Sequence, residues 1–97
     1  MVVGVLKLTL YLPENHSLKG KRGVIKKIKA RLANSFNVSV SECEEQDLWQ
    51  RAVIGIACVS SSVQHADEVI QKVAQFVTTA HEDSEVLTID REVLTPF

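Results

Sequence analysis

Lys19, Lys21 and Arg22 stand in the first turns of S-L-K-G-K-R-G-V-I-K-K-I-K-A-R-L-A-N-S-F, residues 17–36, which reads as one amphipathic helix. The free backbone N–H groups and the positive end of the helix dipole lie at that same end, so three cations there oppose helix stability. The placement becomes favourable once an anion sits on it, and a phosphate is the anion such a site suits. Lys26 and Lys29 extend the positive track along the helix. The competing reading is a solvated basic face, neutralised by Glu42, Glu44, Glu45 and Asp47 from a hairpin at the same end.

Trp49, Tyr11 and Arg51 form a second group. On a sheet face they suit base stacking with a guanidinium nearby, as in RNA-binding sheets. Alternatively, Trp49 covers the edge of the core or joins a dimer interface. His16 beside the cationic turn has the chemistry of an acid or base on a phosphoester, but it has no evident partner. Glu45 and Asp47 are oxygen ligands of the kind magnesium takes, and in a hairpin such acids are more simply solvated. Cys43 and Cys58 form no C-x-x-C and have no histidine at zinc-ligand spacing, so they read as small core or near-core residues. There is no glycine-rich phosphate loop, nucleophile elbow or paired-carboxylate signature. The residues therefore imply a binding protein with no catalytic set, no metal site and no cofactor.

Ninety-seven residues with 45% apolar content make one domain, residues 1–97, with a mainly aliphatic core. The net charge of −1 hides a division. Residues 1–35 carry eight cations against Glu14 alone, whereas residues 36–97 carry Arg51, Lys72 and Arg91 against eleven acids. A molecule with two poles steers an anionic partner even when nearly neutral overall, or it neutralises itself. The opening apolar run is broken by Lys7, so neither a signal peptide nor a membrane span fits, and the expected location is the reducing cytoplasm.

Elements must position these groups. Leu6, Leu8, Leu10 and Leu12 alternate with Val3, Val5, Lys7, Thr9 and Tyr11, giving a first strand over 2–12 that stops at Pro13. Ser17 is the expected N-cap of the first helix, and Leu18, Ile25, Ile28, Leu32 and Phe36 its buried stripe. Gly20 and Gly23 weaken its start and would admit a ligand backbone. Strands follow over 36–43 and 48–59, the second presenting Ala52, Ile54, Ile56 and Cys58 to the core and Val53 and Val59 to the other side. A second helix opens at Ser60–Ser62, with Ser61 and Gln64 as a capping box. Its stripe runs through Ala66, Val69, Ile70, Val73, Phe76, Val77 and Ala80, and His81 to Ser84 end it. The last strand covers 85–94 with Leu87 and Ile89 inward. The order strand, helix, strand, strand, helix, strand predicts an α+β, ferredoxin-like βαββαβ sandwich. Its four-stranded sheet is antiparallel, both helices lie on one face, and the first and third strands are central. Tyr11, Trp49 and Arg51 then meet on the open sheet face, and its valines Val3, Val5, Val53 and Val59 suit a homodimer contact.

The segments L-K-L-T-L-Y-L-P, S-L-K-G-K-R, R-L-A-N-S-F-N-V-S-V-S-E and Q-D-L-W-Q-R-A resemble the YlxP-like family of small bacterial proteins over nearly the whole chain. The resemblance implies a ferredoxin-like fold. It also implies a role near the ribosome or its RNA, because such genes often lie beside those of translation initiation factor two and ribosome-binding factor A. Ser17, Lys19, Lys21, Arg22, Asp47, Trp49, Gln50 and Arg51 fall on its motif positions, while Gly20 and Gly23 replace larger polar residues. The expectation is a non-enzymatic RNA- or ribosome-associated module. Lys19, Lys21, Arg22, Lys26 and Lys29 would bind phosphate, with Trp49, Arg51 and Tyr11 adding contacts. The alternative is a homodimeric protein-interaction module that binds an acidic partner.

Overall fold

Leu6, Leu8 and Leu10 recur at every second position, and the strand they define, β1 (Val2–Tyr11), buries all three, with Leu12 buried just beyond. The computed structural model describes residues 1–79 and 83–97 and continues through α1 (Leu18–Ser35), β2 (Ser39–Glu44), β3 (Arg51–Ser60), α2 (Val63–Thr79) and β4 (Glu85–Leu94). Every strand pairing is antiparallel and the sheet order is β2-β3-β1-β4, which is the ferredoxin-like α+β sandwich with β1 and β3 central. Both helices bury their stripes on the leucine face. Ile25, Ile28 and Leu32 of α1 and Ala66, Ile70, Val73 and Val77 of α2 share one core with β1 and β3. Each Leu or Ile so buried contributes about 1.5–3 kcal/mol. Leu18 and Phe36, expected in the α1 stripe, are only half-buried at its two ends.

Ser17 caps α1 through its Oγ, which accepts from Gly20 N at 2.9 Å. The second cap differs from expectation. α2 starts at Val63, so Ser62 takes the cap position and its Oγ accepts from His65 N at 3.3 Å. Ser61 and Gln64 therefore form no capping box, and Ser60 Oγ meets His65 Nδ1 instead. The expected helix end at Ala80, His81 and Glu82 lies outside the described residues.

β2 begins at Ser39 rather than Phe36, and β3 at Arg51 rather than Leu48. The intervening residues form a longer connection in which Glu45 adopts a left-handed φ of 57°. The β2–β3 register shifts between Glu42 and Glu44, and this bulge changes which way the side chains point. Glu42 lies opposite core-facing Ile54, whereas Glu44 lies opposite Val53 on the open face. There Glu44 Oε2 meets Lys7 Nζ at 2.6 Å. Lys7 is on β1 and Glu44 on β2, and β3 separates them, so the pair crosses over β3 near Gly55 and Val53. Val53, expected as an open-face valine, is buried between its register partners Thr9 and Glu44.

A second register shift, between Thr9 and Leu10, leaves Leu87 outside the β1–β4 pairing. Val86 consequently faces the core in its place. Leu87 and Ile89, expected inward, are both exposed because β4 is an edge strand; Val86 and Val93 are its residues packed on the core.

Candidate nucleic-acid interface

Lys21 lies at the position of α1 four residues before Ile25, seven before Ile28 and eleven before Leu32, which is the buried stripe itself. Its side chain is 1% exposed. A buried ammonium needs partners for its protons, and Lys21 Nζ has them. It donates to the carbonyls of Glu45, Gln46 and Arg51 at 2.9, 3.1 and 3.2 Å and lies 2.9 Å from Glu42 Oε2. Lys21 is therefore buried and engaged within the chain, not exposed on the helix surface as a phosphate-binding group was expected to be. It locks the start of α1 to the β2–β3 connection.

Asn15 and its neighbours reinforce the lock. Asn15 Nδ2 donates to the carbonyls of Ser17 and Trp49, Leu12 N donates to the Gln50 carbonyl, and Gln50 Nε2 donates to the Pro13 carbonyl. The space beside Gly20 is filled by the Asn15 carboxamide, so this glycine serves internal packing rather than the approach of a ligand backbone. Gly23 faces open space.

Of the acids expected to neutralise the helix start, Glu42 does so through the buried Lys21, Glu44 and Glu45 are committed elsewhere, and Asp47 has no basic partner among the described residues. Glu42 holds Lys21, Glu44 holds Lys7, and Glu45 Oε2 lies 3.2 Å from Arg51 Nε. Glu44 also raises the Lys7 pKa above its ordinary value, first through their hydrogen bond and then through its charge. Lys27 pairs with Asp83. Among the described residues, Lys19, Arg22, Lys26 and Lys29 are exposed with no acid within 4.0 Å. Steps of three, four and three residues confine these four to an arc of about 80° and a length of about 15 Å. The first turn of α1 contains no acid, and among the described residues the amides of Leu18 and Lys19 have no hydrogen-bond partner. A shallow hollow of 250 Å³ lies along the track, lined by Arg22, Ile25, Lys26, Lys29 and Glu42.

Tyr11, Trp49 and Arg51 do come together. They line a 460 Å³ cavity with Asp47, Leu48 and Gln50, and Tyr11 lies opposite Arg51 in the β1–β3 register. This cavity and the α1 hollow share no lining residue, so six of the eight residues expected to form one surface are divided between two, with Lys19 and Lys21 in neither. The open sheet face also holds a 560 Å³ trough around Val5, Lys7, Ser41, Gly55, Ala57 and Asp90. Of the expected valine lining, Val59 is 69% exposed, Val3 and Val5 are half-buried, and Val53 is covered.

The remaining candidates are dispersed. His16 is exposed, and His65 is occupied with Ser60. Among the described residues no three His, Cys, Asp or Glu side chains gather as a metal site. Cys58 is buried as expected, but Cys43 is exposed, because strand alternation from Ser41 puts it over Gly55 on the open face.

"Uncharacterized protein YlxP" of Bacillus subtilis (strain 168) is 39% identical over 87 residues, covering 90% of this chain and 95% of that protein. The profile described as "Protein of unknown function (DUF503)" matches residues 3–91, and with nearly the full sandwich inside that match the chain belongs to the DUF503 family.

Proposed function

We propose that the protein is a non-enzymatic, cytoplasmic RNA-binding module, associated with the ribosome or its RNA, that holds phosphates on the outward face of α1. One observation carries this reading: Lys19, Arg22, Lys26 and Lys29 form a single exposed stripe, while Glu42, Glu44 and Glu45 are committed to Lys21, Lys7 and Arg51. A polyanion relieves both the mutual repulsion of the stripe and the unfavourable encounter of Lys19 with the helix dipole. The ribosomal setting rests on the family resemblance.

Binding of a fluorescently labelled single-stranded RNA, measured by anisotropy across a salt series, tests the reading. Each phosphate contact on a single strand contributes a slope of about −0.7 in log K against log salt, so four contacts give about −2.8. Arg22→Glu with Lys26→Glu should lower affinity about 100-fold and roughly halve that slope, with circular dichroism and unfolding midpoint unchanged. Equal binding by this double variant would remove α1 as the site.

The open sheet face favours a second reading, a homodimer contact, through the exposed Val59 and the apolar trough beside it. Sedimentation at micromolar concentration separates the two, since RNA binding by α1 requires no dimer.

A further inference from the structure

We propose that the cavity lined by Tyr11, Asp47, Leu48, Trp49, Gln50 and Arg51 receives a segment of a partner protein in which Lys or Arg stands beside an aliphatic or aromatic side chain. The cavity is an open depression of 460 Å³, wide enough to seat one or two side chains of a partner rather than to enclose a ligand. Leu48 and Trp49 are 47% and 55% exposed, two large apolar side chains adjacent on one loop. Aromatic anchors of this kind dominate protein interfaces when they are held in place before the partner arrives.

The loop is held in that way. Its backbone carbonyls point inward, those of Glu45, Gln46 and Arg51 to the Lys21 ammonium and those of Trp49 and Gln50 to Asn15 and the Leu12 amide. The anchoring runs through main chain, which leaves the Leu48 and Trp49 side chains available without disordering the loop. Ordering it costs a partner little, because the fold has already done so.

Charge selects the kind of partner. Arg51, the cavity's only cation, is paired with Glu45. Asp47 has no basic partner among the described residues, nor has Glu85, which lies opposite Tyr11 in the β1–β4 register. The charges left unpaired beside the cavity, Asp47 and Glu85, are both acidic, which favours an ammonium or guanidinium over a phosphate backbone. Aromatic walls beside a carboxylate suit such a cation and its aliphatic stem together. This surface is independent of the α1 stripe, and the two take ligands of opposite charge.

Random dodecapeptides displayed on phage, selected on the immobilised full chain with Trp49→Ala as counter-selection, test the proposal. The surviving peptides should carry Lys or Arg within two residues of Leu, Ile, Phe or Trp. The strongest, synthesised, should shift the emission of Trp49, the single tryptophan. Asp47→Lys should weaken it at least about tenfold, while Arg22→Glu with Lys26→Glu should leave it unchanged, whatever that double variant does to RNA. Trp49→Ala retains the carbonyl that Asn15 holds, and Asp47→Lys changes an exposed side chain, so both variants should fold. The proposal is overturned if no peptide survives counter-selection, or if the survivors are acidic or uncharged. It is also overturned if oligouridylate shifts Trp49 emission in the Arg22→Glu, Lys26→Glu chain, which would make the cavity a base-stacking surface.

Discussion

At the hairpin end, Lys7, Lys21 and Arg51 each meet a carboxylate from the run Ser41–Glu45, whereas along the outer face of α1 four cations of the same kinds meet none among the described residues. The two regions adjoin, and both include residues of the first turns of α1. Helical phase and a strand bulge make the difference. Lys21 falls on the buried stripe, and the bulge directs Glu42 beneath the sheet and Glu44 above it. Proximity in sequence to a cluster of acids does not neutralise a lysine. The carboxylates go where the backbone aims them, and cations outside that aim remain available to a partner.

The contrast is broken most severely at Lys21. Lys21→Met should cost about 3–5 kcal/mol in chemical unfolding, because it strands a largely buried carboxylate. Adding Glu42→Leu should recover part of that loss, since an apolar pair of similar volume needs no counter-charge. A loss below about 1 kcal/mol for the single variant would mean that the ammonium is not locking the hairpin. Gly55→Ala tests the bulge next. A Cβ there would lie 2.6 Å from Cys43 Sγ, so the exposed Cys43 side chain must turn away, at a cost of about 1 kcal/mol. Cys43→Ala in the same chain should restore the unfolding midpoint.

A smaller effect of opposite sign belongs to the uncommitted cations. Lys19→Glu places an acid in the first turn of α1 and should stabilise the chain by about 0.3–1 kcal/mol while weakening RNA. Thermal unfolding and RNA anisotropy on the same variant would show the two moving in opposite directions; loss of both stability and binding would contradict the reading. The smallest effect concerns Lys7, whose pKa is raised in the folded state. Between the ordinary lysine value and the raised one, the folded chain binds more protons than the unfolded chain, so the stability contributed by the Lys7–Glu44 pair falls as pH rises through that window. Below the ordinary lysine value that contribution is fully present. Alkaline unfolding titrations should show this decline in the parent chain and lose it in Lys7→Met.

Much of this was legible in the residues alone. Alternating leucines, the Ser17 cap and the two stripes specified six elements and their order, because side-chain period and capping chemistry are local properties. The burial of Lys21 was legible too, since the spacing 21, 25, 28, 32 is helical; its charge drew it to the surface reading instead. The stripe Lys19, Arg22, Lys26, Lys29 is likewise a matter of counting. Two things needed the assembled chain: the bulge that separates Glu42 from Glu44 and the register shift that excludes Leu87, whereas the meeting of Tyr11 with Trp49 and Arg51 was legible beforehand. A shift of one residue in pairing reverses every side chain beyond it, and that choice is made by the neighbouring strand. Sequence determined which residues could be charged, apolar or capping; tertiary structure decided which charges found each other, because ion pairs form between strands and helices that only folding brings together.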